Sequence, residues 1–329
     1  MDSVPRGRPA DDATIPPPTR VIPKSRPFLC IGLGEVLWDL LPTGRQLGGA
    51  PANFAYHAHA LGGEGRVISR VGSDDLGRDL LQRLGGLGLS TAGVSIDPVA
   101  PTGTVSVALD PSGQPAYTIH PDVAWDFLEA GPGVLQVAAG ADAVCFGTLA
   151  QRHPVARESI RRVLEATRPE ALRVFDLNLR QRFWSPEVIL ESLEAANVLK
   201  LNDEELPVLA EVLGGPGPGT DPGAFLARTA ERFDLRAVAL TRGARGSLLW
   251  SGGRCVDRPG SVVEVVDTVG AGDSYTAALA MGLLVGHPPG EIVRLAHRVA
   301  DHVCTRPGAT PPMPESFARG FIPDRSTVG

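Results

Sequence analysis

The chain has 329 residues, a formal charge of −6 at neutral pH and a hydrophobic content of 43%. This length accommodates one large domain with a smaller appendage, or two domains, and the hydrophobic content supports a full core. The negative charge argues against a nucleic-acid or anionic-membrane partner. The sequence contains no run of about 18 apolar residues, so no membrane span is expected. Lys24 and Lys200 are the only lysines, which excludes the Gly-Lys-Ser/Thr loop of P-loop phosphate binding.

The N-terminal segment, residues 1–26, is rich in proline and arginine and has little to bury. We expect a disordered tail there, followed by one domain over residues 27–329. The tail lacks the apolar core of a secretory signal. The four cysteines are widely spaced and mostly lie in apolar runs, which favours reduced core thiols and a cytoplasmic protein; they are Cys30, Cys145, Cys255 and Cys304.

Short apolar runs alternate with amphipathic helical patterns along the rest of the chain. The runs that predict strands are Phe28–Leu33, Arg66–Val71, Ala143–Phe146, Leu172–Leu177, Val198–Leu201, Ala237–Leu240, Ser247–Trp250 and Val262–Val266. The patterns that predict helices are Pro51–Leu61, Leu76–Leu84, Pro154–Ala166, Pro186–Ala195, Asp203–Leu213, Pro222–Phe233 and Ser274–Leu284. Repeated βα units predict an α/β fold, a doubly wound and mostly parallel sheet with helices on both faces. Ligands of such folds bind beyond the carboxyl ends of the strands.

One region departs from this alternation. Thr104–Ile119 predicts a β-hairpin that turns at Asp110–Gly113, and Val36–Leu41 predicts a further strand beside it. We interpret the segments of about 36–48 and 100–122 as a small β-lid over the site. An exposed lid edge would also suit a homodimer.

The segment Asp267–Asp273 reads DTVGAGD and joins the predicted strand Val262–Val266 to the predicted helix Ser274–Leu284. A Gly-Ala-Gly turn at a helix start directs backbone N–H groups at one spot, and the helix dipole adds positive charge there, which makes an anion hole. Asp273 follows at once and can take a proton from a nucleophile that attacks the bound anion. This arrangement is typical of phosphoryl transfer to an alcohol. The alternative is an ordinary helix start with an aspartate cap.

The segment Gly48–Asn53 reads GGAPAN and predicts the start of a helix, since proline suits the first helical position. The paired glycines allow a ligand to approach the backbone closely. Asn53 offers a donor and an acceptor, which matches vicinal hydroxyl groups. A plain turn into a helix is the alternative.

Asn202 and Glu205 follow the predicted strand Val198–Leu201 and lie three residues apart at a helix start. They are either a capping box or a polar pair near a Mg²⁺–phosphate site. In the second case contact with Mg²⁺ is expected through water, because this ion gives up its waters reluctantly.

These three motifs, in this order, resemble those of the ribokinase-like (PfkB-type) carbohydrate kinases over residues 28–314. Gly34–Pro42 (GEVLWDLLP) and Asp176–Arg180 (DLNLR) are similar to elements of bacterial fructokinases. The resemblance implies transfer of the ATP γ-phosphate, with Mg²⁺, to a hydroxymethyl group of a furanose, best matched by conversion of D-fructose to fructose 6-phosphate. The partners it implies are a small-molecule sugar and ATP.

The resemblance also implies roles for individual residues. Asp273 would be the general base, beside an anion hole made by Gly270, Ala271 and Gly272. The positions implied to bind substrate are Asp39, Gly48, Gly49, Asn53, Asp176 and Arg180. The positions implied to bind nucleotide are Asn202, Glu205, Thr241, Gly243, Gly246 and His297. Glu205 would reach Mg²⁺ through water, and backbone oxygens around Asp267, Val269 and the Thr305–Ala309 turn would hold K⁺.

Two of these assignments have alternatives: Arg180 can instead form a strand-end salt bridge, and Arg242, beside the nucleotide loop, either meets a phosphate or lies at the rim. Ribokinase and 2-keto-3-deoxygluconate kinase activities remain open, as does a non-catalytic sugar sensor, although a sensor has no need of Asp273. A nicotinamide-dependent enzyme is disfavoured because Gly32-x-Gly34 lacks the third glycine of the dinucleotide motif.

Overall fold

The computed structural model describes residues 26–42, 44–109, 115–215, 219 and 221–321. Residues 1–25 of the predicted tail and the predicted turn Asp110–Gly113 lie outside these described residues. Within the described residues, no helix combines the length and the apolar composition needed to cross a membrane.

The strands and helices follow the predicted alternation closely. The strands are β1 (Leu29–Leu33), β2 (Leu37–Leu41), β3 (Gly44–Gly48), β4 (Glu64–Gly72), β5 (Val94–Asp97), β6 (Thr104–Leu109), β7 (Pro115–Ile119), β8 (Ala143–Phe146), β9 (Leu172–Asp176), β10 (Val198–Asn202), β11 (Ala237–Thr241), β12 (Ser247–Ser251) and β13 (Arg254–Arg258). The helices are α1 (Ala50–Ala60), α2 (Asp75–Gly86), α3 (Pro132–Ala139), α4 (Pro154–Glu165), α5 (Pro186–Ala195), α6 (Glu205–Leu213), α7 (Pro222–Arg232), α8 (Ala271–Val285), α9 (Pro289–Cys304) and α10 (Glu315–Ala318).

The larger sheet runs in the order β13-β12-β11-β10-β9-β8-β1-β4-β5. Strands β11 to β5 along this order are parallel, whereas β12 and β13 are antiparallel to their neighbours. From β1 the chain builds outward through β4 and β5, and it later returns to β8 on the other side of β1. The topological switch point therefore lies between β1 and β8, where ligands of doubly wound sheets bind.

Both faces of this sheet are covered by helices. Along β8, Val144 and Phe146 belong to one buried cluster, and Ala143 and Cys145 belong to the other. The first cluster also contains residues of α3 to α7, and the second contains residues of α1, α8 and α9. Successive residues of a strand point to opposite faces, so the central parallel strands bury both sides, whereas Ser95 and Ile96 of the edge strand β5 are exposed. The predicted doubly wound α/β fold is confirmed.

The smaller sheet has the strand order β3-β2-β6-β7. Strand β6 pairs with β7 in antiparallel fashion and with β2 in parallel fashion, as the predicted hairpin with an added strand requires. Val105 and Ile119 are buried in the first cluster of the main core. Trp38 donates from Nε1 to the carbonyl of Leu76 at 2.9 Å, which ties β2 to α2. The small sheet is therefore anchored to the main domain at its base.

The prediction of a strand over Val262–Val266 is wrong. This segment is irregular, and Val262, Val265 and Val266 are exposed. A β-branched run forms a strand only where a neighbouring strand and a core receive it. Here the N–H of Val266 donates instead to the carbonyl of Cys304 at the end of α9. The edge of the sheet is the short polar strand β13, which no apolar pattern revealed.

Candidate active site

The segment predicted to make an anion hole, Gly270–Gly272, lies at the start of α8. Gly270 precedes the helix with a φ of 77° in the left-handed region, and a Cβ placed on it would lie 2.7 Å from Ala309 Cα. Only glycine fits both conditions. The N–H of Ala271 donates to the carbonyl of Thr268, and that of Ser274 donates to the carbonyl of Gly270. The N–H groups of Gly272 and Asp273 belong to the first turn, where no intrahelical acceptor exists, and can therefore receive an anion.

Asp273 follows this turn and is tied to the helix that carries the sugar motif. Asn53 of α1 donates from Nδ2 to Asp273 Oδ2 at 2.8 Å. Burial and the neighbouring charge of Asp176 raise the pKa of Asp273 to about 6, against the opposing effects of Asn53, Lys200 and Arg180. Asp273 therefore remains largely ionised at neutral pH and is a stronger base than an ordinary aspartate, as general-base catalysis requires.

Asp39 lies against the paired glycines. A Cβ on Gly48 would come within 2.4 Å of Asp39 Oδ2. Gly49 precedes α1 with a φ of 107°, and its Cβ would lie 2.5 Å from the carbonyl oxygen of Glu35. Larger residues at either position would displace the carboxylate or the backbone. Burial raises the pKa of Asp39 to about 6, while the charge of Arg180 opposes this shift.

Glu35 also lies near the predicted site residues, although the sequence indicated it only as part of the motif Gly34–Pro42. Its side chain is buried and its Oε2 has no hydrogen-bond partner. Burial, together with the charge of Asp273, raises its pKa to about 7, while the charge of Arg180 opposes this shift. Asn53 Oδ1 is likewise buried without a partner. Unsatisfied buried polar atoms are rare in native proteins, so a polar ligand would be expected to satisfy them. In the sequence, only the position of Glu35 next to Gly34 in the motif Gly34–Pro42 could have indicated its place in the site.

Arg180 provides positive charge on this side of the site. It is exposed, and it donates from Nη1 to the carbonyl of Leu179 at 3.3 Å. Its charge lowers the pKa of Asp39, Glu35 and Asp273. The charge of Arg180 thus lowers the pKa both of Asp39 in the small sheet and of the proposed base Asp273. Among the described residues, no carboxylate lies within salt-bridge distance of Arg180.

Asp176 lies below the surface of the site. Its Oδ1 accepts from Lys200 Nζ at 3.0 Å and its Oδ2 accepts from Thr276 Oγ1 at 2.9 Å. The side chain is 3% exposed. Both carboxylate oxygens of Asp176 are thus engaged, and Asp176 links Lys200 of β10 to Thr276 of α8 beneath the predicted site. No sequence pattern indicated Lys200 or Thr276, because this contact joins β9, β10 and α8 across 100 residues of chain.

Asn202 and Glu205 make the reciprocal hydrogen bonds of a capping box. Asn202 Oδ1 accepts from the N–H of Glu205 at 2.9 Å, and Glu205 Oε2 accepts from the N–H of Asn202 at 2.8 Å. Glu205 Oε1 accepts from the N–H of Leu179 at 2.9 Å. Burial raises the pKa of Glu205, and Lys200 counters that shift. Both carboxylate oxygens are thus engaged by the backbone, so any contact with a metal ion would use their remaining lone pairs.

The nucleotide loop follows β11, whose last residue is Thr241. The N–H of Arg242 donates to the carbonyl of Gly246, which closes a short turn that includes Gly243. Arg242 forms an ion pair with Asp257 of β13, whose side chain is 60% exposed.

His297 of α9 lies behind this loop. It is buried and its Nε2 lies 2.8 Å from Ser247 Oγ, which in turn lies 2.9 Å from the hydroxyl of Tyr275. Burial lowers the pKa of His297, so the ring is neutral at pH 7. It holds the Ser247 side chain through their hydrogen bond.

The segment proposed for K⁺ is held to the turn after α9. Asp267 Oδ1 accepts from the N–H of Val269 and Oδ2 accepts from the N–H of Gly308, both at 2.9 Å. The N–H of Asp267 donates to the carbonyl of Cys304. The structure therefore brings Asp267, Val269 and the Thr305–Ala309 turn together. Within the described ranges, no group of three or more His, Cys, Asp or Glu side chains is arranged to hold a metal ion.

Four residues of the site lie at one edge of the larger sheet. Glu35 lies just after β1, Asp176 ends β9, Asn202 ends β10 and Thr241 ends β11. Since these strands are parallel, their carboxyl ends meet at one edge. Asp273 is hydrogen-bonded to Asn53, which joins the anion turn to the sugar motif, and the nucleotide loop begins after Thr241 at the same edge of the sheet.

Known proteins resemble this chain over most of its length. The model of the pfkB family carbohydrate kinases matches residues 42–316. A fructokinase of Salmonella typhimurium is 31% identical over 80% of this chain and 87% of its own length. A fructokinase of Escherichia coli is 32% identical over 76% of this chain and 83% of its own length. The crystal structure of an uncharacterized sugar kinase from Pyrococcus horikoshii in complex with ATP superposes with a TM-score of 0.75 at 26% identity, covering 89% of this chain and all of that one.

Proposed function

The chain belongs to the pfkB family of carbohydrate kinases, and from this premise we propose that it transfers the γ-phosphate of ATP to a hydroxymethyl group of a furanose, with D-fructose as the sugar. The observation that carries the proposal is the Asn53–Asp273 hydrogen bond of 2.8 Å. It brings the base, the anion turn and the sugar motif to one point. An anion site and a base at the same point are what transfer to an alcohol needs.

In this mechanism Asp273 accepts the proton of the attacking hydroxyl group. The N–H groups of Gly272 and Asp273 stabilise the charge that develops on the transferring phosphoryl group, aided by the dipole of α8. Asp39 and Asn53 orient the sugar, and Arg180 neutralises charge above the cleft. Asn53 has a double role, because its Nδ2 aligns the base while its Oδ1 remains available to a sugar hydroxyl.

Fructose is proposed because fructokinases from enteric bacteria are among the relatives with identities above 30%. The motifs Gly34–Pro42 and Asp176–Arg180 support the same choice. Ribokinase and 2-keto-3-deoxygluconate kinase activities remain the alternatives within the family.

The side chain predicted to hold Mg²⁺, that of Glu205, suits an indirect contact through water better than direct coordination. Both oxygens of Glu205 accept backbone N–H groups, so Glu205 would hold the ion through water, in keeping with its preference for retained waters. When bound, Mg²⁺ neutralises charge on the phosphates of ATP. Backbone oxygens near Asp267, Val269 and the Thr305–Ala309 turn would hold K⁺. The residues of this chain align the base, bind the sugar and stabilise the charge on the phosphoryl group as it passes to the sugar hydroxyl.

We also propose that the smaller sheet acts as a lid, and that its free edge strands pair two copies of the chain. Strands β3 and β7 are the edges of this sheet. Exposed edges of this kind invite pairing.

The function is tested by ADP release from the purified full chain with ATP, Mg²⁺ and one sugar at a time. The panel holds fructose, ribose, 2-keto-3-deoxygluconate and nucleosides, with a sugar-free reaction and Asp273→Asn as controls. We expect fructose to give the highest kcat/KM and a product phosphorylated at its hydroxymethyl group. Preference for another sugar would correct the substrate, whereas ATP binding without release of ADP on any sugar would favour the sensor.

A further inference from the structure

Lys200 is the only lysine in the described part of the chain; every other permanently cationic side chain there is an arginine. It lies in the middle of β10, between strands on both sides, and is 5% exposed. A charged side chain that is buried to this extent is rare unless it is paired. Its choice and position therefore call for a physical explanation.

The ammonium group of Lys200 lies directly behind the anion turn. A Cβ placed on Gly272 would be 3.1 Å from Lys200 Nζ, so any larger residue at position 272 would press on the cation. Nζ donates to Asp176 Oδ1 at 3.0 Å, and Asp176 is held on its other oxygen by Thr276 of α8. A compact ammonium fits this space beneath the helix, whereas a planar guanidinium demands more room.

The groups around Lys200 come from three elements. Burial alone disfavours the charged form, but Asp176 of β9, Glu205 of α6 and Asp273 of α8 together raise the pKa of Lys200. Lys200 in turn lowers the pKa of Glu205, Asp273 and Tyr275. The lysine is thus a permanent cation, and its field reaches both the base and the first turn of α8.

We propose that Lys200 is the fixed positive charge of the anion turn: a positioning residue that stabilises, from behind Gly272, the charge developing on the transferring phosphoryl group and keeps Asp273 ionised. This inference rests on the proposed kinase function. A charge that is held in place and shielded from water acts without reorganisation during the reaction, which is why such terms are large. Lys200 touches neither the sugar nor the base and acts through Gly272 and the field at Asp273.

The rival account is that Lys200 only neutralises Asp176. Breaking a buried pair by removing one partner is destabilising in itself, so Lys200→Met alone cannot separate the two accounts. The double variant Lys200→Met/Asp176→Asn removes both charges together, and the amide oxygen of the introduced asparagine can still accept from Thr276. Asp176→Asn alone completes the set, and thermal unfolding monitors the fold of each variant.

The kinetic readouts are the plateau kcat and the acid limb of kcat/KM against pH. We expect kcat to fall about ten- to a hundredfold in both the single lysine variant and the double variant, within the range typical of lost electrostatic stabilisation. The acid limb should move to higher pH in Lys200→Met, because the cation that lowers the pKa of Asp273 is gone. It should move back in the double variant, because Asp176, which raises that pKa, is gone as well.

Recovery of the wild-type kcat in the double variant would overturn the proposal, because it would show that Lys200 serves only to neutralise Asp176. A low kcat with a restored acid limb supports the proposal and is not expected of a simple ion pair. The double variant gives this answer even if Lys200→Met alone does not fold.

A binding measurement separates failure of this proposal from failure of the proposed function. The affinities of the wild-type and double-variant proteins for AMP-PNP and ADP are measured by calorimetry. We expect the ratio of the two affinities to shift about five- to tenfold against AMP-PNP in the double variant, since Lys200 acts at the terminal phosphate. An unchanged ratio would contradict the role of Lys200 even if no sugar in the panel were phosphorylated.

Discussion

At the scale of single residues, the cleft holds carboxyl groups whose pKa values lie well above the usual range. Burial raises the pKa of Asp39 and of Asp273 to about 6 and that of Glu35 to about 7. Such a cluster stores unfavourable electrostatic energy in the folded protein. Perturbed carboxyl groups concentrate at functional sites, because catalytic acids and bases need pKa values that match their task.

The pH dependence of catalysis follows from Asp273. The base must be ionised to accept a proton, and its pKa is about 6. We expect kcat/KM to be constant between about pH 7 and 8 and to fall with decreasing pH through about 6. Initial rates at saturating ATP and low sugar measure this directly. An acid limb near the ordinary aspartate value, about 4, would contradict the environment described for Asp273.

Glu35 makes a separate contribution to stability. Its pKa is raised from 4.5 to about 7 on folding, so the folded state binds more protons than the unfolded state between these values. Stability should therefore decrease as pH rises through this window. Glu35→Gln should unfold at a higher temperature than the wild type at about pH 8, with a smaller difference at about pH 5. The exposed Glu194→Gln is the matched control, and an identical pH dependence in wild type and Glu35→Gln would contradict this account.

Asp39 is expected to govern the sugar and not the nucleotide. Its carboxylate lies against Gly48, in the predicted sugar motif. Asp39→Asn should raise the sugar KM roughly ten- to a hundredfold, the usual loss for a charge-assisted hydrogen bond of about 1.5–3 kcal/mol. The ATP KM should change little. Equal increases in both KM values would show that Asp39 has a structural role.

Among the elements, the hairpin β6–β7 is the one proposed to act as a lid, and we expect its base and its tip to contribute differently. Val105 and Ile119 at the base are buried in the main core, so removal of the whole hairpin would damage the fold. The tip extends beyond the pair Ser106 and Thr118. A change confined to the tip therefore separates lid function from stability.

Replacing residues 107–117 with a short Gly-Ser turn should leave the unfolding temperature nearly unchanged. We expect sugar affinity and kcat to fall together and the remaining ATPase activity to depend less on sugar, because closure excludes water from the phosphate. An equivalent replacement of the turn at Gly252–Gly253, between β12 and β13, is the control. Full sugar-dependent activity in the shortened protein would contradict the lid.

Regular elements and the order of the motifs could be predicted from the sequence because periodicity and turn residues are local. The β-branched run Val262–Val266 was wrongly predicted to be a strand, because strand formation also requires a neighbouring strand and a core, which a local pattern does not reveal. The polar strand β13 carries no apolar signal and depends on pairing with β12. Lys200, Asp176 and Thr276 meet through three separate elements, and no spacing in one sequence reveals such a contact.

At the scale of the whole molecule, the topology explains why the site is where it is. The strand order reverses beside β1, and the parallel strands on either side of it end at the same edge of the sheet, where ligands of such folds bind. Helices α1 and α8 lie on the same face and join through Asn53 and Asp273. The sugar motif and the anion turn, 220 residues apart in sequence, thus meet through one hydrogen bond.

The most direct test of this account measures Asp273→Asn for both turnover and binding. We expect kcat to fall at least about 10²–10⁴-fold, the usual contribution of a general base, while calorimetry gives nearly unchanged affinities for sugar and for AMP-PNP. Asp234→Asn is the matched control, because Asp234 is exposed and its φ of 50° suits asparagine. A folded Asp273→Asn protein with near-normal kcat would contradict the central claim that this carboxylate activates the sugar hydroxyl at the anion turn.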